Sequence, residues 1–378
     1  MKKIVRVGSL FAGVGGFCLG MQLAEHPDLQ YQIEWANEID EYACETYRCN
    51  FSHQLLQGDI NHIINPDNSD NPEYYQNLQK FILSHPVDVL NGGFPCQPFS
   101  IAGEQKGFND DRGNLFLSIV KLIELMDEKG HKPRVLFLEN VKNLKTHDNG
   151  RTYSVIKNKL EEKGYIIKEA IINTMDYSYL PQNRERIYIL GFLNKEDASK
   201  FAFFENLKKY KIAKSKADRV GESKKILDMS ISDEKYFYIK EKYPYYFTTE
   251  EEFKNLHSDK RHRINLKESV NEMYQFYQMR RGMYVRKNKS NVCPTLTANM
   301  GTGGHNVPII LTNDKKIRKL TPKETFLLQG FPIDNGYSLP NTYKGKPLGD
   351  CHLYKQAGNA VSVPIIKLIS EHLFDTFQ

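Results

Sequence analysis

The chain has 378 residues, 40% of them hydrophobic and 26% charged, with a formal net charge of +6. This length exceeds the roughly 100–200 residues of one ordinary domain and predicts a large domain with a smaller one, while the composition excludes disorder as the main state. No run approaches the ~18 consecutive apolar residues that span a bilayer, and residues 1–10 lack an apolar stretch of signal-peptide length, so a cytoplasmic protein is expected.

In chain order, short apolar runs alternate with stretches of helical periodicity. Ile4–Leu10, Gln32–Ile39, Val87–Leu90, Arg134–Val141 and Arg186–Phe192 predict strands, and Gly58-Asp59-Ile60 closes a further one. Gly15–Leu23, Glu41–Asn50, Leu115–Leu125 and Thr152–Leu160 predict helices. The alternation predicts an α/β fold, a doubly wound and mostly parallel sheet. The Asn, Asp and Pro-rich patch at Asn65–Pro72 reads as a surface excursion. Beyond Phe192 the pattern turns irregular, with lysines and aromatics interleaved, and Asn359–Phe374 returns to an apolar helical spacing suited to packing on the first domain. The expected organisation is therefore a sheet domain over 1–192, an inserted smaller domain over 193–317, a connection over 318–346 and a return to the first domain over 347–378.

Charge is unevenly spread. Counted along the sequence, Leu193–Ile317 carries 25 Lys and Arg against 16 Asp and Glu, leaving 27 against 30 elsewhere. A solvated lysine-rich surface and an electrostatic footprint for a polyanion both explain this excess. The six cysteines, at 18, 44, 49, 96, 293 and 351, have no paired short spacings, so neither a disulfide framework nor a zinc cage is indicated, and no metal is expected.

Several strand tips carry chemistry. Phe11-Ala12-Gly13-Val14-Gly15-Gly16 is a glycine-rich turn from a strand into a helix, which lets backbone approach a nucleotide-like ligand. Glu38 closes the next strand, where a carboxylate suits ribose hydroxyls, and Asp59 closes the third. Together they outline an adenosine-type pocket. The fourth strand runs into Gly93-Phe94-Pro95-Cys96-Gln97, a thiol between prolines, followed by a glycine-bearing stretch suited to a lid. At a thiol pKa of about 8.5 only a few per cent is thiolate at neutral pH, so a nucleophile there needs activation. A buried structural cysteine is the alternative. Glu139 and Arg186, on neighbouring tips, either hold a planar heterocycle or form a structural ion pair.

These blocks, with Arg112-Gly113-Asn114-Leu115, Glu139-Asn140-Val141, Gln182-x-Arg184-x-Arg186, Arg318-Lys319-Leu320-Thr321-Pro322 and Gln356-Ala357-Gly358-Asn359-Ala360, resemble the cytosine-5 DNA methyltransferase family of bacterial restriction-modification systems. The resemblance covers residues 4–192 and 318–378 with the blocks in the family's order. It departs at Ser9, where many members carry an acidic residue, and in a longer segment between Asp59 and Gly93. The resemblance implies a class I, Rossmann-like methyltransferase domain with an inserted target-recognition domain. It implies Cys96 as the nucleophile adding to carbon 6 of cytosine, Glu139 at ring nitrogen 3, and Arg184 and Arg186 orienting the base or a flanking phosphate. It implies S-adenosyl-L-methionine, leaving as S-adenosyl-L-homocysteine, held by Phe11, Ala12, Gly13, Gly15, Gly16, Glu38, Ile39, Asp59, Ile60, Pro95, Leu115, Asn359 and Ala360.

Carbon 6 of a stacked cytosine is closed to a thiol, so the base must rotate out of double-stranded DNA. Candidate DNA contacts are Gln97, Ser100, Gln105 and Arg112 on the lid, and Arg280, Arg281, Arg286, Lys287, Thr295, Thr297 and Gly303 in the insert. A monomer is expected, with a cognate restriction endonuclease encoded alongside but not stably bound. An RNA substrate is the alternative within the same chemistry. A nicotinamide-dependent oxidoreductase explains the glycine turn but neither Glu139 nor the paired arginines, and a non-catalytic DNA-binding protein leaves the Pro-Cys and Glu-Asn-Val blocks unexplained.

Overall fold

A computed structural model describes residues 2–94, 115–254, 264–280, 284–288, 290–302 and 306–378. The chain divides into two compact units: 1–172 with 185–211 and 361–378, and 173–184 with 212–360. The divisions fall at 211/212 and 360/361, where the sequence reading placed them near 193, 317 and 346. Residues 193–211 thus cluster with the sheet, and 318–360 with the second unit.

The first unit is built on strands β1 (Lys3–Leu10), β2 (Leu29–Glu38), β3 (Gln54–Gln57), β4 (Val89–Gly93), β5 (Val135–Val141), β6 (Ile166–Asn173) and β7 (Glu185–Phe192), ordered β3-β2-β1-β4-β5-β7-β6. The pairs β1–β2, β2–β3, β1–β4 and β4–β5 are parallel, and β5–β7 is antiparallel. Central strands are covered on both faces, so they read as unbroken apolar runs; Val135–Asn140 is buried at every position. Chain order reverses between β1 and β4, and at such a switch the carboxyl ends of two strands open a crevice.

Helices α1 (Gly16–Gln22), α2 (Glu41–Arg48), α3 (Ile60–Ile64), α4 (Pro72–Ser84), α5 (Leu115–Glu128) and α6 (Arg151–Glu162) connect the strands. Asp40 caps α2 by accepting from the amides of Tyr42 and Ala43, both at 3.0 Å. α5 buries Phe116, Ile119, Leu122, Ile123 and Met126 on one stripe, which joins the core with Leu136, Leu138 and Ile187. A helix Asp350–Asn359 precedes the apolar return; after a non-helical Ala360–Ser362 the return itself forms a second helix, Val363–Leu373, with Pro364 in its first turn. Only the second clusters with the sheet, where a Cβ on Gly20 would stand 2.6 Å from Ile366.

The second unit holds an antiparallel sheet of β8 (Tyr277–Arg280), β9 (Tyr284–Lys287), β10 (Ile309–Leu311) and β11 (Ile317–Lys319), ordered β11-β10-β8-β9. Tyr277, Met279, Ile309, Leu311 and Ile317 pack with Phe247, Ile264, Leu266 and Val270. At its base Arg318, fully buried, donates to both Glu324 oxygens at 2.8 and 2.7 Å. Glu324 also closes a capping box with Thr321 at the helix Pro322–Gln329. The Arg-Lys-Leu-Thr-Pro block is thus a buried charge pair with its helix start. Among the described residues no helix is long and apolar enough to cross a membrane.

Candidate active site

The turn after β1 leaves the helical and extended regions three times: Phe11 has φ 51°, Gly13 56° and Gly15 83°. Gly15 admits no side chain, because its Cβ would lie 2.2 Å from the Phe51 ring. The Ala12 amide donates to the Asn37 carbonyl at 2.9 Å, and Gly13 donates to Glu38 Oε2 at 2.7 Å. Glu38 Oε1 accepts from the amides of Ile39 and Asp40, both at 2.8 Å. Burial pushes the Glu38 carboxyl up, and these three amides pull against it. Asn37 donates to the carbonyls of Leu56 and Gly58, tying the β2 tip to the β3 tip. Ile39, beside Glu38, leaves 60% of its surface exposed. A carboxylate held by its own backbone, next to a bare aliphatic face, suits a ribose with its attached heterocycle, so these residues fit a nucleoside cofactor.

The other expected cofactor residues are placed differently. Asp59 caps α3 through the Asn61 amide at 2.8 Å, and Ile60 is 2% exposed and part of the core, leaving only its backbone available. Gly16 is buried at the start of α1, and Leu115 opens α5 half-buried. Ser9 is fully buried and donates to Asn91 Oδ1 at 2.8 Å, so the residue that departs from the family pattern braces β1 against β4. Asn359 and Ala360 belong to the second unit, at the end of the helix Asp350–Asn359.

One strand further, Gly93 pairs with Glu139 in the β4–β5 register, and a Cβ on Gly93 would lie 3.3 Å from Glu139 Oε2. Arg186 Nε stands 3.0 Å from Glu139 Oε1, with both side chains about nine-tenths buried. Asn140 donates to the Phe94 carbonyl at 2.9 Å and accepts from the Val141 amide at 2.8 Å. Phe94 is therefore clamped where the chain leaves β4 toward Pro95 and Cys96. Pro95, Cys96, Gln97, Ser100, Gln105, Arg112, Arg281 and Gly303 lie outside the described residues.

Arg184 behaves unlike Arg186. It is 2% exposed and donates to the carbonyls of Leu296 at 2.9 Å, Ala360 at 2.7 Å and Gly358 at 3.4 Å. Its guanidinium ties two backbone segments of the second unit together, at Leu296 and at Gly358–Ala360. Nearby, Thr295 Oγ1 donates to the Asn183 carbonyl at 2.7 Å, and a Cβ on Gly358 would stand 2.1 Å from the Thr297 backbone. Arg280, Arg286, Thr295 and Thr297 line one concave surface, whereas Lys287 forms an ion pair with Glu272 on the opposite side of the hairpin.

With this geometry in place, comparison with known proteins is decisive. Residues 5–375 match the profile of the C-5 cytosine-specific DNA methylases. The chain belongs to that family. It is 42% identical over 372 residues to the Type II methyltransferase M.Bsp6I of Bacillus sp., covering 98% of this chain and 99% of that one. It is 31% identical over 380 residues to the Type II methyltransferase M.HhaI of Haemophilus parahaemolyticus, covering 98% and 94%. In fold it resembles the Entamoeba histolytica methyltransferase EhMeth, with a TM-score of 0.62, 19% identity and full coverage of both chains.

Two features of this DNA methylase went unread in the sequence. Asn140 is legible as part of the Glu-Asn-Val block, but its grip on Phe94 depends on strand neighbours 46 positions apart. Gln278, 6% exposed on the same concave surface as Arg280, carries no motif at all.

Proposed function

We propose that the protein transfers a methyl group from S-adenosyl-L-methionine to carbon 5 of a cytosine rotated out of a specific duplex DNA sequence, protecting host DNA in a restriction-modification system. The observation that carries this reading is Glu139, nearly buried, paired with Arg186 at 3.0 Å and adjacent in register to Gly93, three positions before Cys96 in the sequence.

The cofactor supplies an electrophilic methyl group on a sulfonium. Gly13, Gly15 and the Glu38 carboxylate hold its nucleoside, with Ile39 covering the heterocycle. Cys96, deprotonated as the base enters, bonds through sulfur to carbon 6 of cytosine. Glu139 meets ring nitrogen 3 and holds a proton there, so that the electron pair gathers at carbon 5. Arg186 orients Glu139 and supports the oxygen on carbon 2 of the ring. After methylation, water takes the carbon 5 proton, and its bonding pair restores the carbon 5–carbon 6 double bond as β-elimination breaks the carbon–sulfur bond and returns the thiolate. Arg184 acts as a positioning residue. The protein works as a monomer in the cytoplasm, with any cognate endonuclease separate from it.

The test is transfer of labelled methyl to duplex DNA and covalent trapping on DNA containing 5-fluorocytosine. Cys96→Ala abolishes both if the reading is right; a variant that still transfers methyl, or an adduct mapped to another side chain, sinks it. Preferential methylation of transfer RNA over duplex DNA in competition favours the RNA alternative instead.

A further inference from the structure

The β8–β9 hairpin has two faces. In its register Gln278 lies opposite Arg286 and Arg280 opposite Tyr284, while Tyr277, Met279 and Val285 turn to the core of the second unit. Because side chains alternate along a strand, Gln278, Arg280 and Arg286 share the other face. All three line the same concave surface, with Asn183, Asn288 and Asn306 around them.

This face holds polar groups without partners. Gln278 is over nine-tenths buried; its Nε2 donates to the Asn306 carbonyl at 3.4 Å, and its Oε1 meets no donor among the described residues. Arg280 Nε is buried and likewise unmet. No described carboxylate pairs with Arg280 or Arg286, and burial, with Arg286 beside it, pulls Arg280 below the usual arginine range. Buried groups left unpaired are costly, so a surface that keeps both a donor and an acceptor open is shaped for something else. A phosphate satisfies the arginines alone, since its oxygens only accept and Gln278 Oε1 also needs a donor. The major-groove edge of a G·C pair offers both: adjacent N7 and O6 acceptors on guanine for a guanidinium fork, and the N4 amino donor on cytosine. An A·T pair separates its acceptors by the adenine N6 donor and fits the fork poorly. A two-stranded ribbon is of a size to enter that groove.

We infer that Gln278 and Arg280 read one G·C pair of the recognised sequence, Arg280 donating to guanine N7 and O6 and Gln278 accepting from cytosine N4, while Arg286 grips the adjacent backbone. This rests on duplex DNA being the substrate.

The test uses the full chain on a plasmid library of random sequence, with methylated cytosines mapped by bisulfite sequencing. The wild type defines the recognised word. Arg280→Lys and Gln278→Leu each relax the same single G·C position by roughly 10- to 100-fold and leave the other positions intact, while Gln278→Glu, which keeps an acceptor, retains the G·C preference there. Replacing guanine at that position with 7-deazaguanine weakens the wild type and adds nothing to the loss in Arg280→Lys. Weakening that is equal for every word, relaxation at an A·T pair, or an unchanged word in both variants overturns the inference. A wild type that methylates no DNA overturns the parent reading along with it, and is told apart by the absence of any word.

Discussion

At the scale of single residues, two arginines two positions apart do different work, and each has its own consequence. Arg186 faces a carboxylate, and in the proposed reaction Glu139 holds a proton at ring nitrogen 3, a role that Glu139→Gln takes away. The expected result is a fall in kcat of about 10²–10⁴-fold with DNA affinity changed only a few-fold, read by single-turnover methylation beside gel-shift titration; equal losses in both would place Glu139 in binding. Arg184 donates to three backbone carbonyls. Arg184→Ala leaves those acceptors buried and unmet, which costs roughly 3 kcal/mol of stability, and Arg184→Lys recovers part of it. Denaturant unfolding measures this, and an Arg184→Ala protein as stable as the wild type but catalytically dead would return Arg184 to the base.

Elements show where acidity acts on the fold. His53 follows α2 and its Nε2 is hydrogen-bonded to the Tyr47 hydroxyl, which also reaches Cys18 Sγ at 3.0 Å. Burial pushes the His53 imidazole down to about 4, from an ordinary value of 6.5. Between those values the unfolded chain binds the proton and the folded one refuses it, so stability is full above pH 6.5 and falls as the pH drops toward 4. The loss has a ceiling of about 3–4 kcal/mol, lowered by solvent screening of the partly exposed ring, and His53→Gln flattens that part of the curve in denaturant titrations at stepped pH; an unaltered slope assigns the acid sensitivity elsewhere. The same scale explains what was legible. Strands buried on both faces, such as β5, announce themselves as apolar runs, and the glycine turn announces its φ values. β6 lies at the sheet edge with a mixed burial pattern, so its alternation is weak and it went unread. α4 begins where the Asn65–Pro72 excursion ends and is not predicted from the sequence, although Asn71 caps it and Pro72 opens it, a start signal carried by only two residues. On the concave face of β8–β9, Arg280, Arg286, Thr295 and Thr297 are legible as candidate DNA contacts, but Gln278 and the pairing that sets it beside Arg286 are not, because strands of four residues are too short to show a period.

For the whole molecule, what remains is how a chain of modest net charge finds DNA. The formal charge is +6, yet the stretch 193–317 carries +9 by itself and the rest −3. Several of its cations are already matched within the protein: Lys287 by Glu272, Lys214 by Glu222, Lys240 by Glu252. Attraction to phosphate must therefore come from the unmatched remainder, which includes Arg280 and Arg286. Each phosphate neutralised releases condensed counterions and contributes about −0.9 to the slope of log Kobs against log salt. Non-cognate duplex should accordingly bind with a slope of about −3 or steeper in fluorescence anisotropy between 50 and 200 mM NaCl. Arg286→Ala should reduce the slope's magnitude by about 1 on every sequence, whereas Arg280→Lys, which keeps its charge, should leave it unchanged while altering the recognised word. A slope near zero would mean that the basic stretch is only a solvated surface, and an Arg286→Ala effect confined to one word would make that arginine a base reader.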